Sequence, residues 1–98
     1  MASTVEELTV SYSEGGQELC KQLDKVVLTK GAWATIIYKY QDWDARKSEY
    51  GPAKFTIRRY RKRNNQYSPQ TKFNISSADQ ARKIIDALQQ WVDEDETA

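Results

Sequence analysis

The sequence predicts an α+β domain: a curved antiparallel β-sheet of about four strands followed by one C-terminal amphipathic helix. Three observations lead there. Residues 32–40 and 54–63 are rich in aromatic and β-branched side chains, the composition of strands. Turn-forming groups (Glu14-Gly15-Gly16, Lys30-Gly31, Gly51-Pro52 and Asn64-Asn65) break the chain at strand-length intervals. Beyond Ser77 the apolar residues change from a period of two to the period of a helix.

Taken in order, residues 1–5 are expected to be a disordered tail. Leu8, Val10 and Tyr12 alternate with Thr9, Ser11 and Ser13, which reads as a strand. The segment from Gln17 to Asp24 is ambiguous, because Leu19 and Leu23 are four apart as on a helix face, yet the segment is short. Val26 to Thr29 is β-prone. Ala32 to Tyr40 is a long strand with apolar groups on both faces, so it is central in the sheet or lies at a dimer contact. Gln41 to Ala53 reads as a polar connector, and Trp43 within it is left unassigned. Lys54 to Arg63 is a second strong strand, Asn64-Asn65 suits a turn with positive φ, and a further strand runs through Lys72 to Ile75. Pro69 belongs at the start or the edge of that strand, since it has no N–H for a ladder. Ser77-Ala78-Asp79-Gln80 matches a helix capping box. Ala81, Ile84, Ile85, Leu88, Trp91 and Val92 then form one apolar stripe, and residues 93–98 are expected to be a disordered acidic tail.

The 98 residues make a single domain, 1–98, too small to enclose a deep active site. With 39% hydrophobic and 30% charged residues the composition is globular, and no apolar run approaches the ~20 residues of a membrane span. The N-terminus lacks the basic start and apolar stretch of a signal peptide. Cys20 is the one cysteine, so no internal disulfide forms, and it reads as a small, partly buried hydrophobe. These features together suggest a cytoplasmic setting. The chain has no histidine, which removes the commonest general base and metal ligand. The expectation is a binding protein and not an enzyme, with no cofactor, no metal, no small-molecule substrate and no membrane partner.

Charge is segregated. Net charge is +1, but residues 51–78 contain no Asp or Glu and carry +7, which leaves −6 for the rest. Asp93, Glu94, Asp95 and Glu96 alone supply −4 of it. An acidic head and tail flanking a basic middle suggest an anionic partner for the middle, unless the run is a solvated face balanced by nearby carboxylates.

Strand alternation sorts that middle. Phe55 and Ile57 share one face, with the helix as their cover. Lys54, Thr56, Arg58, Tyr60 and Lys62 share the other, joined by Lys72 and Asn74 from the next strand. A cationic sheet face with an aromatic in it suits a single nucleic-acid strand: Lys and Arg neutralise phosphates, and aromatics stack on bases. The helix carries Lys83, Asp86, Gln89 and Gln90 outward, a poor reading face for a duplex groove. The candidate binding residues are Lys54, Arg58, Tyr60, Arg61, Lys62, Arg63 and Lys72. Several have a plainer reading. Tyr60 is partly buried in one alternative; Tyr67 is a loop stacker or a packing residue; Trp33 and Trp91 are read as core or dimer contacts; Arg61-Lys62-Arg63 is a phosphate clamp or a solubilising tip.

The stretch from Lys54 through the helix resembles the positive-cofactor-four-like transcriptional coactivator family and its bacterial relatives. The matching residues are Ile57-Arg58-Arg59-Tyr60, then Pro69, Lys72 and Ile75-Ser76, then a helix starting at Ser77. The resemblance implies a four-stranded curved sheet with one helix, a homodimer, and single-stranded DNA bound on the sheet. It carries that role to Arg58, Tyr60 and Lys72. Asn74 stands where the family has glycine, one extra residue separates Pro69 from Ile75, and Arg61 stands where a second aromatic often follows, which favours electrostatics over stacking. The expected function is therefore a homodimeric binder of single-stranded DNA or RNA, acting as a transcription or DNA-maintenance cofactor. The rival is a protein–protein interaction module whose basic sheet binds an acidic segment.

Overall fold

The computed structural model describes residues 3–97. A 3₁₀ turn (Val5–Glu7) precedes six strands, β1 (Tyr12–Glu14), β2 (Gln17–Thr29), β3 (Trp33–Asp44), β4 (Glu49–Tyr50), β5 (Lys54–Arg63) and β6 (Gln66–Ile75), and one helix, α1 (Ala78–Thr97). The sheet is antiparallel in the order β1-β2-β3-β5-β6, with β4 pairing the far end of β3. The α+β expectation holds, with more strands than the four expected. The additions come from the ends: β1 is three residues, and β4 folds part of the supposed polar connector back so that Trp43 pairs with Tyr50. No helix among the described residues is long and apolar enough to cross a membrane.

The turns form where the sequence places them. Gly15 and Gly16 have φ of 58° and 82°, and Asn64 and Asn65 have 51° and 61°. Paired positive φ gives the two-residue hairpin whose twist matches the flanking strands. β6 is an edge strand, which tolerates Pro69; a bulge beside it leaves Gln70 without a register partner. β3 is central, as its two apolar faces require.

The register defines the two faces of the sheet. On one lie Ala34, Ile36 and Tyr38 of β3, Thr56, Arg58 and Tyr60 of β5, and Tyr67 of β6. The N-terminal segment covers this face: Val5, Leu8 and Val10 are buried in one cluster with Ala34, Ile36, Tyr38, Tyr60 and Tyr67. This is the arm face. On the opposite, helix face, Leu28, Ile37, Phe55, Ile57 and Ile75 share an apolar cavity of about 460 Å³ with Ala81, Ile84, Ile85 and Leu88 of α1.

Two expectations change at the termini. Residues 3–7 are an ordered turn and not a frayed tail, because Val5 is in the core and the Glu7 carboxylate accepts hydrogen bonds from the backbone N–H groups of Ser3 and Thr4 at 3.0 and 3.1 Å. Those bonds, the side-chain bond from Ser3 first, hold the Glu7 carboxyl below its ordinary pKa. The ammonium of Lys25 clamps the segment, donating to the carbonyls of Val5, Glu6 and Leu8 at 2.6, 3.2 and 2.6 Å. Gln22 Oε1 accepts from Thr9 Oγ1 and from the Val10 N–H. Leu8 and Val10 are thus packed as an arm, although their alternation reads as a strand. At the other end α1 continues through the acidic run to Thr97, so the expected disordered tail is helical over 93–97. Residues 1, 2 and 98, also assigned to the tails, lie outside the described residues. The helix start is as expected at Ser77, whose Oγ accepts the Gln80 N–H at 3.1 Å, but the Gln80 side chain reaches one residue further back, to the Ser76 N–H at 2.9 Å.

Because the arm supplies core side chains, Leu8→Ala is expected to lower unfolding free energy by about 2–5 kcal/mol in urea titration. A loss below about 0.5 kcal/mol would mark the arm as dispensable.

Candidate nucleic-acid interface

β5 places its cations on both faces by simple alternation. Lys54, Arg58 and Lys62 fall on the arm face, and Arg59 and Arg61 on the helix face, while Arg63 leads into the Asn64-Asn65 turn. Lys72 lies directly across from Arg58 on β6. The expected grouping by face is correct, but the arm face is the one that the core occupies. Its exposure was the premise for Tyr60 as a base platform, and that premise fails.

Tyr60 is only 3% exposed. Its hydroxyl lies 3.0 Å from that of Tyr38, which is also buried. Two phenols satisfying one another let both rings join an apolar core without an orphaned hydroxyl. Burial, then the bond to Tyr60, pushes the Tyr38 hydroxyl well above its ordinary pKa. Stacking on Tyr60 would first require the arm to leave.

Lys54 differs from the other candidates in having a partner: its ammonium pairs with the Asp42 carboxylate at 3.1 Å. Arg58 is half-buried on the arm face, across from Ile36 of β3, and its Nε is buried without an acceptor among the described residues. An open cavity of about 330 Å³ lies beside it, lined by Pro69, Gln70, Thr71 and Lys72. Lys62 and Arg63 are exposed near the hairpin tip, with the Lys62 ammonium 5.5 Å from the centre of the Tyr67 ring. Tyr67 itself is a packing residue: it is buried, and its hydroxyl donates to the Gly31 carbonyl at 2.7 Å, joining the hairpin to the β2–β3 turn.

The structure brings together two residues that the candidate set omits. Trp33 lies directly opposite Arg61 across the β3–β5 ladder. The guanidinium carbons of Arg59 and Arg61 stand 4.6 and 5.3 Å from the centre of its ring. Alternation alone puts Arg59 on one face with Arg61. The missing information was the register between β3 and β5, which no local pattern encodes. Among the described residues none of Arg58, Arg59, Arg61, Lys62, Arg63 or Lys72 has a carboxylate within ion-pair distance; the pairs found there are Lys54–Asp42 and Lys83–Asp79.

A second aromatic group sits at the other end of β3. Trp43 meets Tyr50 edge-on at 5.1 Å, and Tyr50 donates its hydroxyl proton to the Glu18 carbonyl at 2.9 Å. Trp43 is therefore tied to the β4 fold-back.

Cys20 is half-buried on the arm face, and burial, then the Asp42 charge, raises its thiol pKa. A raised pKa means less thiolate at pH 8, hence slower alkylation by iodoacetamide than in urea. Asp42→Asn removes the larger of the two carboxylate charges that add to burial, Glu18 supplying the other, and is expected to accelerate alkylation of the folded protein. An unchanged rate would show that the Asp42 charge does not contribute to the slowness.

Comparison with protein-family models, with curated proteins and with solved structures finds no match in any of the three.

Proposed function

We propose that the chain is a homodimeric single-stranded nucleic-acid-binding protein, serving transcription or DNA maintenance, that holds its ligand along the β5–β6 hairpin. The observation that carries this reading is the set of six cations there without a carboxylate partner among the described residues. Arg58, Arg59, Arg61, Lys62, Arg63 and Lys72 can each neutralise a phosphate, and every phosphate neutralised releases counterions condensed on the nucleic acid. Half-buried Arg58, with an unpartnered Nε beside Lys72, adds a donor that solvent reaches poorly.

A single strand fits better than a duplex. The cations lie on a hairpin and on both sides of a thin sheet, and the overall extents are 54 × 39 × 17 Å. The helix, the element that would enter a major groove, carries Asp79, Asp86 and the acidic run from Asp93 to Glu96. The resemblance to the positive-cofactor-four-like family points the same way, with Tyr60 moved from the binding surface to the core.

The dimer rests on a separate observation. Ile85, Leu88, Trp91 and Val92 of α1 and Phe73 of β6 are about half exposed or more, Trp91 reaching 62%. One sheet of this width leaves that stripe uncovered, and a second copy related by a two-fold axis covers it symmetrically.

Fluorescence anisotropy with a labelled oligonucleotide, single-stranded against duplex, across a salt series tests the ligand. Tighter single-strand binding is expected, with a log–log salt slope shallower by about 0.7 for each of Arg58→Ala and Lys72→Ala. Lys83→Ala, at a cation already paired on the helix, is expected to leave both unchanged. Absence of binding at low salt refutes the reading and favours an acidic protein partner. Light scattering is expected to give twice the 11.4 kDa chain mass, and Trp91→Asp the single mass. A wild-type monomer at micromolar concentration refutes the dimer.

A further inference from the structure

The helix face of β5 changes character halfway along. Phe55 and Ile57 line the apolar cavity beneath α1, whereas Arg59 and Arg61, the next two residues on that face, lie beyond that cavity's lining. There they close on Trp33, which is 39% exposed. Their cross-strand neighbours on β6 are Thr71 and Ser68, and on β3 Thr35 and Trp33, with no carboxylate in any of these positions.

Two guanidiniums on one indole are held by the ring quadrupole, yet they repel each other. Burying the group in a protein interface would strip water from both charges without a counter-ion, which is costly. Trp33 is therefore poorly suited to an apolar dimer contact, although its ring is large enough for one. A ligand that completes the group must offer anionic charge for the two arginines and a flat π surface for the ring or for a guanidinium plane. An unpaired nucleotide offers both.

We infer that Trp33, with Arg59 and Arg61, is a stacking platform for an unpaired nucleobase whose flanking phosphates bind the two guanidiniums. This rests on the nucleic-acid reading above and names a site within it. The platform lies on the opposite side of the sheet from Tyr60 and Arg58. The strand therefore engages one end of the inner β3–β5 pair from the helix face, while the core-forming arm stays in place. Either the base extends the existing arginine–indole stack, or it replaces one guanidinium, which turns to a phosphate.

The test separates base-dependent from phosphate-dependent binding. Affinities are measured for a labelled oligothymidylate and for an abasic strand of the same length, which keeps the phosphates and lacks the bases. The wild-type protein is expected to favour the oligothymidylate by about tenfold. Trp33→Leu is expected to bring that ratio near one, and Trp33→Phe to retain most of it. A second readout covers the case in which Trp33→Leu fails to fold. With Trp43 and Trp91 replaced by Phe, the remaining emission comes from Trp33, and oligothymidylate is expected to quench it while the abasic strand does not. Equal wild-type affinity for the two strands overturns the platform but leaves the cationic reading intact. A preference that survives in Trp33→Leu also overturns it, by placing the base elsewhere. Failure of the wild-type protein to bind either strand overturns both readings.

Discussion

A single sheet has two faces to withdraw from water, and this chain has one helix with which to do it. The rest of the structure follows from that constraint. The arm of residues 5–10 covers one face, with Val5, Leu8 and Val10 buried against Ala34, Ile36, Tyr38 and Tyr60. The arm is not a ladder strand over those residues, so its backbone groups need other partners. Lys25 and Gln22 of β2 supply them, one as a triple donor to carbonyls and the other as an acceptor for a hydroxyl and an N–H. With the arm spent on one face, the helix is left for the other, where it stands over Phe55, Ile57 and Ile75 across an apolar cavity of about 460 Å³.

Most side chains on the arm face are packed accordingly. Thr56 is fully buried and donates its hydroxyl to Asn74 Oδ1 at 2.7 Å, which satisfies a polar group in the middle of the sheet. Tyr38 and Tyr60 satisfy one another, and Tyr67 is satisfied by the Gly31 carbonyl. Arg58 is the exception, a half-buried cation with an orphaned Nε in a neighbourhood that is otherwise complete. On the proposed nucleic-acid reading, that Nε is a donor available to an anion.

The elements whose signal is local were legible in the sequence: β3, β5, the Asn-Asn and Gly-Gly turns, and the helix start at Ser77. β2 was legible only over its end, Val26 to Thr29, and its first part was not, for a physical reason. Its register slips at Leu23 and again at Leu28, two bulges that interrupt the period of two and leave Leu19 and Leu23 looking like a helical pair. The β4 fold-back was hidden because Glu49 and Tyr50 are too few to show a period, although Tyr50 is anchored by its hydroxyl. The arm was hidden because Leu8, Val10 and Tyr12 alternate as a strand would, while the cap that turns the chain lies in Ser3, Thr4 and Glu7. The solvent side of β5 was hidden for the same reason, since nothing in residues 54–63 reveals that a segment fifty residues earlier lies over Tyr60. Here alternation told which side chains stand together and left open which group faces water.

The same distinction bears on the aromatic question. The position after Tyr60, where the resembled family often carries a second aromatic, holds Arg61, and along the strand a stacking ring is missing there. Across the ladder the ring is present, because the residue facing Arg61 is Trp33. A strand pair presents its surface as a two-dimensional grid, and an aromatic one strand over occupies almost the same area of surface as one on the strand itself. Exchanging cation and ring between two facing positions leaves the composition of the patch unchanged while altering both linear motifs. Binding chemistry on a sheet is therefore carried by cross-strand pairs, and a motif read along one strand sees only half of each.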